Sequence, residues 1–446
     1  MEQQHMFTNR MIRNLLVPVV LEQILNSIMG TADTMMVSNV GSAALSAVSL
    51  VDSINVLLIQ AFSALAAGGA IVCAQYIGQK NYEKANMSAR QVLFIITAIS
   101  VAVSAVCLIF QKPLLRLIFG AVEADVMRAS ETYFFFTALS FPFIAAYDSA
   151  ASIFRAQENT RGPMMISMIS NVMNIGGNAI LIWVFHLGVA GAAVSTLVSR
   201  IFCAVVVLYQ LRKDRQPIVV RNYLKIRPDW SMIGRILGLG IPSGIENSMF
   251  QLGKLAIQST VSTLGTTAIA AQAMTNILEN LNGIAAIGVG VGLMTIVGQC
   301  LGAGRKDEAV YYIKKLCVIA EYVIIVSCLI VYVLARPVTI LGGMEKTSAA
   351  MCIHMINWIT IVKPLVWTMG FVPGYGLRAA GDVKFSMITS CCTMWACRFC
   401  LCVFLIRVLG FGPMGVWIGM FADWTVRGII FTWRFHSRKW LEHKVI

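Results

Sequence analysis

The run LLVPVVLEQILNSIMGTADTMMV at Leu15–Val37 decides the fold, and GSAALSAVSL at Gly41–Leu50 follows it closely. The run can cross a bilayer as one helix, because a spanning helix needs about 20 predominantly apolar residues. Three of its residues are unexpected in hydrocarbon, namely Pro18, Glu22 and Asp33. Carboxylates inside a membrane are costly, so those that occur usually serve a function. The stretch therefore predicts a membrane protein with ionisable groups at a working site.

The composition extends this interpretation to the whole chain. Of the 446 residues, 58% are hydrophobic and 13% are charged, and the mean hydropathy is +0.75, whereas soluble domains have about 25% charged residues. The net charge of +14 does not indicate nucleic-acid binding, because the basic residues are scattered among short connections between apolar runs. The twelve Cys lie mostly inside apolar runs. They are expected to be reduced packing residues rather than disulfide, redox or metal groups.

The apolar runs predict an all-α polytopic protein with twelve transmembrane helices. They are expected at 13–38, 46–78, 91–111, 129–154, 164–186, 189–211, 232–262, 267–301, 309–335, 346–376, 384–408 and 413–435. Lys and Arg number 24 in the N-terminus, the C-terminal tail and the connections on their side, but 6 in the alternate connections. The side richer in Lys and Arg is cytoplasmic, so both termini are expected there.

An internal repeat carries the most information. Matching segments recur at an offset of 224 residues: Pro18-x-x-x-Glu22 with Pro242-x-x-x-Glu246, GSAALSAVSL from Gly41 with GTTAIAAQAM from Gly265, QYIGQKNYEKA from Gln75 with QCLGAGRKDEA from Gln299, Lys112-Pro113 with Arg336-Pro337, and GVAGAAV from Gly188 with GPMGVWI from Gly412. The predicted domains are a six-helix bundle at 1–211, a basic cytoplasmic linker at 212–230, and a second bundle at 231–446. Because six is even, the two repeats should run parallel, as in many transporters.

Asp33 is the first candidate for chemistry. It lies twenty residues beyond Arg13, about 30 Å along a helix, and therefore in the outer half of the membrane. Its repeat partner is Ile257, so the acid belongs to the N-terminal half alone. Burial favours the neutral form of a carboxylate, which suits a group that takes up and releases a proton. The alternative is a solvated acid that caps a loop at the end of the helix.

Other ionisable groups sit in the predicted helices of both halves. Glu22 and Glu246 each follow a proline by four residues; each could titrate in a cavity or bond backbone groups that the proline frees. Lys254 lies eight residues beyond Glu246, so a buried pair of Lys254 with either Glu246 or Glu279 is plausible. An i,i+4 pair of Asp423 with Arg427 is expected to be structural.

Polar and proline residues complete the candidate set. Asp52 and Asn55 on the second helix correspond to Asn276 and Glu279 in the repeat, and all four are candidates for lining a cavity. Amides on the fifth helix share one face and could line a polar pocket near Asp33 or simply link helices; they are Asn171, Asn174 and Asn178. Candidate bends for alternating access are Pro18, Pro142, Pro242 and Pro364.

No nucleotide-binding loop, metal motif or catalytic motif is evident. The protein is therefore expected not to be an enzyme, to have no catalytic or metal-ligating residues and to need no cofactor. Without a nucleotide site, uphill transport would have to use an ion gradient, so the expected coupling ion is H⁺ or Na⁺.

Several segments together resemble the multidrug and toxic compound extrusion (MATE) transporters. The resemblance covers essentially the whole chain and rests on Pro18, on Asp33-Thr34 with GSAALSAVSL, on GQCLGAGRKDEA at Gly298–Ala309, on LRAAGD at Leu377–Asp382 and on GVWIGMFADWTVR at Gly415–Arg427. It implies a V-shaped monomer in the inner, cytoplasmic membrane. It also implies alternating access, with small cationic, amphipathic substrates exported in exchange for H⁺ or Na⁺.

The resemblance also assigns roles to residues. It implies that Asp33 couples ion flow to transport and that Asn174 and Asn178 support it, although many relatives have Asp in place of Asn178. The tenth-helix Asp of sodium-coupled members has no counterpart near Lys363 and Trp367, so proton coupling is the expectation. One rival is a flippase for lipid-linked precursors in the same superfamily. Another is a membrane receptor or enzyme that transports nothing.

Overall fold

The computed structural model of the protein describes residues 5–446, and this part of the chain is helical, with no β-strand in it. The α-helices are α1 (Asn9–Ser38), α2 (Ser42–Gly78), α3 (Tyr82–Ile109), α4 (Gln111–Phe119), α5 (Ala124–Leu139), α6 (Phe141–Ala156), α7 (Arg161–Asn178), α8 (Val189–Leu211), α9 (Trp230–Val261), α10 (Thr266–Gly302), α11 (Lys306–Leu341), α12 (Lys346–Ala379), α13 (Val383–Thr393), α14 (Leu401–Arg407) and α15 (Met414–His436). Two π-helical segments, Ala179–Val184 and Met394–Cys400, continue α7 and join α13 to α14. The predicted all-α class is confirmed.

The helices are long enough for a polytopic membrane protein. Within residues 5–446, nine helical spans are long and apolar enough to cross a membrane, and the bent pair α5–α6 makes ten. Helices α9 and α15, with 32 and 23 residues, also have the length to span. These twelve helical segments coincide in position with the twelve predicted segments, and ten of them are apolar enough to span. Helix α4 is an addition to the prediction, since its nine residues are too few to cross a bilayer.

The repeat is visible in the backbone, where α2 and α10 begin and end 224 residues apart. The loop glycines Gly188 and Gly412 have φ values of +58° and +63°. A positive φ is unfavourable for residues with a Cβ, which explains glycine at both equivalent turns. The repeat predicted from the sequence is therefore present in these helices and turns.

The chain forms two compact units that divide it inside helices. The N-terminal unit is Leu25–Gly244, and the C-terminal unit combines residues 5–24 with Ile245–Val445. The divisions therefore fall in α1 and α9, the two repeat-equivalent helices that contain Pro18 and Pro242. The bundles at 1–211 and 231–446 remain a prediction about the repeat.

Each unit has its own core of helices around large side chains. In the N-terminal unit, α2, α3, α6 and α8 pack together, and Phe134, Phe141 and Phe154 are fully buried. In the C-terminal unit, α10, α11, α12 and α15 pack together, with Trp417 and Trp424 buried among them.

The basic connection at 212–230 is anchored to the N-terminal unit. The Ile218 backbone N–H donates to Gln157 Oε1 at 2.9 Å, and the Tyr223 hydroxyl donates to the Leu208 carbonyl at 2.6 Å. Burial raises the pKa of Tyr223 to about 12, so its hydroxyl keeps the proton that makes this bond at physiological pH. The connection is therefore a packed segment of the unit.

Helices α2 and α9 approach each other closely through glycines in the N-terminal unit. A Cβ on Gly68 would lie 2.6 Å from the Gly240 backbone nitrogen, and a Cβ on Gly240 would lie 2.9 Å from Leu65 Cα. Small residues allow membrane helices to pack in this way. We expect Gly240→Ala to lower stability by about 1–3 kcal/mol, because neither backbone can yield without separating the helices.

The matched control is Gly238→Ala on the same helix, where a Cβ would have nothing within 4 Å. This change should leave stability unchanged or raise it slightly, since Ala favours helix over Gly by about 1 kcal/mol. Melting of both detergent-solubilised variants, followed by fluorescence-detected gel filtration, measures the difference. Equal melting temperatures for the two variants would contradict the close contact.

Candidate functional site

The first group of candidate residues lies in the N-terminal unit and centres on Asp33. The Asn178 side-chain amide donates a hydrogen bond to Asp33 Oδ1. Asn178 is the last residue of α7, is fully buried, and precedes the π-helical segment Ala179–Val184. Such distortions of a helix occur frequently at functional sites. The structure thus holds a membrane carboxylate against one buried amide.

Asp52 lies nearby and has its own polar partners. Its Oδ1 atom accepts hydrogen bonds from the Tyr133 hydroxyl at 3.1 Å and from the Asn55 amide at 3.2 Å. Asp33 also interacts electrostatically with Asp52, so the two predicted acids belong to one site. Asn55 and Tyr133 are buried, and their donors stabilise charge on Asp52.

Arg200 on α8 is the cation of this site and was not among the predicted residues. It interacts electrostatically with Asp33, Asp52 and Asp148, and its Nη1 atom donates to Ser140 Oγ at 2.7 Å. The signal was present in the sequence, because a charged residue inside an apolar helix is itself unusual. We call these three carboxylates, Arg200 and the partners Asn55, Tyr133 and Asn178 the acidic cluster. Asp33 and Asp52 alone carry more charge than Arg200 can balance.

The other fifth-helix amides have different partners. The Asn174 amide donates to Thr196 Oγ1 at 3.4 Å, and the Asn171 amide donates to Asn26 Oδ1 at 2.9 Å. Of the three predicted amides, Asn178 alone hydrogen-bonds Asp33 in the part of the chain described. A role for Asn174 in coupling remains a prediction, and its geometry would make that role indirect.

The predicted Lys254 pairs are wrong, because α12 supplies the bases instead. Glu246 forms an ion pair with Arg378, in which Oε1 lies 2.7 Å from Nη2. Glu279 forms one with Lys363, in which Oε1 lies 2.6 Å from Nζ. The Lys254 ammonium instead lies 4.9 Å from the centroid of the Phe250 ring. Spacing along α9 alone could not show that bases on another helix approach these acids more closely.

The Lys363–Glu279 pair is enclosed by aromatic rings. Lys363 is fully buried, and its ammonium lies 5.3 Å and 5.7 Å from the ring centroids of Trp367 and Trp424. A Cβ on Gly283 would approach the Lys363 ammonium to 2.9 Å. Glycine at this point of α10 therefore leaves room for the pair.

Of the remaining predicted polar residues, Asn276 makes a local hydrogen bond and Glu22 is buried. Asn276 Oδ1 accepts from the Gln272 amide at 3.3 Å, and Glu22 is only 3% exposed. The Asp423–Arg427 ion pair is confirmed, at 3.0 Å.

The candidate bends are all inside or next to long helices. Pro18, Pro242 and Pro364 lie inside α1, α9 and α12. Pro142 stands at the start of α6, where α5 and α6 meet at an angle of 42°. Proline removes a helix hydrogen bond, which accounts for a break at this point, while movement at any of these bends remains a prediction.

Comparison with known proteins agrees with this architecture. The MatE family model matches residues 18–180 and again 242–404, so both ends of the match are displaced by the same 224 residues as the repeat. The uncharacterized transporter YisQ of Bacillus subtilis is 25% identical, with 95% of this chain and 93% of the relative aligned. The probable multidrug resistance protein NorM of Thermotoga maritima is also 25% identical, over 97% and 93%.

A solved structure shares the fold over nearly the full length. A MOP superfamily transporter from Pyrococcus furiosus superposes with a TM-score of 0.88 at 18% identity, covering 98% of this chain and 97% of that one. The two family matches together span well over half of the chain. With its repeated helices and membrane-embedded charges, the protein belongs to the MatE family of multidrug and toxic compound extrusion transporters.

Proposed function

We propose that the protein is a secondary antiporter that exports small cationic, amphipathic compounds in exchange for protons, with Asp33 as the proton-carrying group. The acidic cluster carries this proposal, since Asp33 and Asp52 together already exceed the single charge of Arg200. An excess of carboxylates in a low-dielectric site attracts cations. The name of the Thermotoga maritima relative, a probable multidrug resistance protein, supports drug export.

The proposed cycle follows from the charge of Asp33. When Asp33 is ionised, the cluster holds a cationic substrate by electrostatic attraction. Protonation from the outside removes one negative charge, and the loss of one charge 4 Å away is worth about 4 kcal/mol at an effective dielectric constant of about 20. The substrate then leaves. Release of the proton to the cytoplasm restores the ionised site for the next substrate.

Sodium is the second candidate coupling ion. The buried Oδ1 atoms of Asn178 and Asn55 have no hydrogen-bond partner among the described residues. Amide oxygens combined with carboxylates are ligands that hard cations prefer. Asp33 and Asp52, each beside one of these amides, would then contribute the anionic ligands.

The two rival functions have less support. A flippase for lipid-linked precursors is not favoured, because relatives aligned over nearly the whole chain are named probable multidrug resistance proteins. A receptor or enzyme would not account for the similarity to transporters over nearly the whole chain. We further propose that the protein is a monomer in the cell membrane. The distribution of Lys and Arg favours a cytoplasmic location for both termini.

Imposed ion gradients test the proposed function. The purified chain is reconstituted into liposomes, and uptake of a fluorescent cationic dye is measured with an acid-inside pH gradient or an inside-high Na⁺ gradient, each applied separately. We expect the pH gradient to raise dye uptake about tenfold above protein-free liposomes, because each proton that leaves frees a carboxylate for a cation. Uptake under the Na⁺ gradient alone would select sodium. Uptake under neither gradient across a panel of cations would contradict the antiport proposal.

A further inference from the structure

Two cations converge on one aromatic ring in the C-terminal unit. The Lys254 ammonium and the Arg398 guanidinium each lie 4.9 Å from the centroid of the Phe250 ring. Lys254 and Phe250 are on α9, whereas Arg398 is in the π-helical segment Met394–Cys400. The two charges repel each other, and for Lys254 this repulsion exceeds its attraction to Glu279.

The neighbouring carboxylates are already engaged. Glu279 is paired with Lys363 at 2.6 Å, and Asp423 is paired with Arg427 at 3.0 Å. Across residues 5–446, neither Lys254 nor Arg398 has a carboxylate within ion-pair distance. For Arg398, which is buried, the lack of a close counter-charge is strongly unfavourable.

Arg398 is nearly free of protein hydrogen bonds although it is only 4% exposed. Its one hydrogen bond to the described part of the chain goes from Nη1 to the Met394 thioether, at 3.7 Å. A thioether is a weak acceptor, whereas a guanidinium has five donors arranged for a carboxylate or phosphate. Most of its hydrogen-bonding capacity is therefore not used within the protein.

The local packing fixes this geometry and leaves one cation accessible. A Cβ on Gly253 would lie 2.3 Å from the Met394 methyl carbon, so glycine allows α9 to approach the π-helical segment closely. The adjacent Lys254 is exposed and can meet a ligand from outside the helix packing. The pair thus combines an accessible ammonium with a buried guanidinium.

We propose that Lys254 and Arg398 bind an oxyanion of an organic compound, a carboxylate or a phosphate monoester, beside Phe250. The planar fork of Arg398 would bind two oxygens, and Lys254 would supply the second charge. The site would extend the range of transported substrates to compounds with an anionic group. Its role in transport therefore rests on the proposed antiport function. Binding itself does not depend on that function.

Calorimetric titration of the purified, detergent-solubilised full-length chain tests the site. The probes are benzoate, phenyl phosphate and, as an inorganic counter-ion, chloride. We expect saturable binding of at least one organic oxyanion, with a Kd that rises with ionic strength. Lys254→Gln and Arg398→Gln should each raise that Kd by about tenfold or more. Arg398→Lys keeps the charge and should recover part of the affinity, and Lys314→Gln, an exposed position on α11, should change nothing.

Three outcomes would overturn the proposal: no binding of either organic probe, an unchanged Kd in Lys254→Gln, or equally strong binding of chloride. If Arg398→Gln fails to fold, the Kd of Lys254→Gln still tests the proposal, because Lys254 is exposed and its substitution should not disturb folding. Gradient-driven uptake of the cationic dye is measured on the same preparations after their reconstitution into liposomes. If the protein binds the organic anion but does not take up dye, the antiport proposal alone is contradicted. If it takes up dye but does not bind the anion, the anion-site proposal alone is contradicted.

Discussion

Asp33→Asn should reduce pH-driven dye uptake to the level of protein-free liposomes while leaving expression and folding normal. Asparagine has nearly the same shape as aspartate and can still accept a hydrogen bond from Asn178, which donates to Asp33 in the wild-type protein. It cannot take up or release a proton in the relevant pH range, so the step that links proton entry to substrate release is lost. We expect a loss of about tenfold, which is the whole expected excess of wild-type uptake over protein-free liposomes, because no ionisable group remains at this position.

The matched control is Asp214→Asn. Asp214 is an exposed acid in the basic connection, paired with Arg221, and an exposed ion pair contributes little to stability. Uptake should therefore equal that of the wild-type chain. If the Asp33→Asn variant, expressed normally, still accumulates dye at the wild-type rate under the pH gradient, another group must carry the proton. Asp52, which shares the electrostatic environment of Asp33, would then be tested in the same way.

Lys363→Met should lower the free energy of unfolding by about 3–5 kcal/mol, the cost of leaving one member of a buried ion pair without its partner. Lys363 is fully buried and lies 2.6 Å from Glu279 Oε1, and methionine fills similar space without charge. The expected fall in melting temperature is about 10 °C, from roughly 2–4 °C per kcal/mol for a unit of this size. Melting in detergent by fluorescence-detected gel filtration measures it.

A double-mutant cycle separates the pair from general damage to the core. The double variant Lys363→Met with Glu279→Gln removes both charges and should recover most of the lost stability, because two neutral groups cost far less to bury. Lys314→Met on the exposed face of α11 should melt within about 1 °C of the wild-type chain. A double variant that is less stable than Lys363→Met would show that the ion pair itself does not account for the loss.

The sequence determined the fold class, because the features that define this class, apolar runs and a constant repeat offset, can be read directly along the chain. Apolar runs of about 20 residues require helices in a bilayer, and these runs predicted all twelve spans. The 224-residue offset predicted α2 and α10, whose ends are displaced by that number. Asp33 was also recognisable from the chain, since a carboxylate in an apolar helix is unusual wherever it packs.

The tertiary structure alone decided which charges meet. Spacing on α9 suggested Lys254 as the partner of Glu246 or Glu279, but the bases at 2.7 Å and 2.6 Å are Arg378 and Lys363 of α12. Periodicity along one helix fixes the face on which a side chain lies, but it does not fix which neighbouring helix covers that face.

The same reason explains Arg200, which joins the acidic cluster from α8, and the convergence of Lys254 and Arg398 on Phe250. The sequence thus determined a membrane transporter fold with an unusual acid, Asp33, in its first helix. Only the packing of the helices within each unit decided that this acid shares a site with Arg200. That packing also gave Glu246 and Glu279 ion-pair partners other than Lys254.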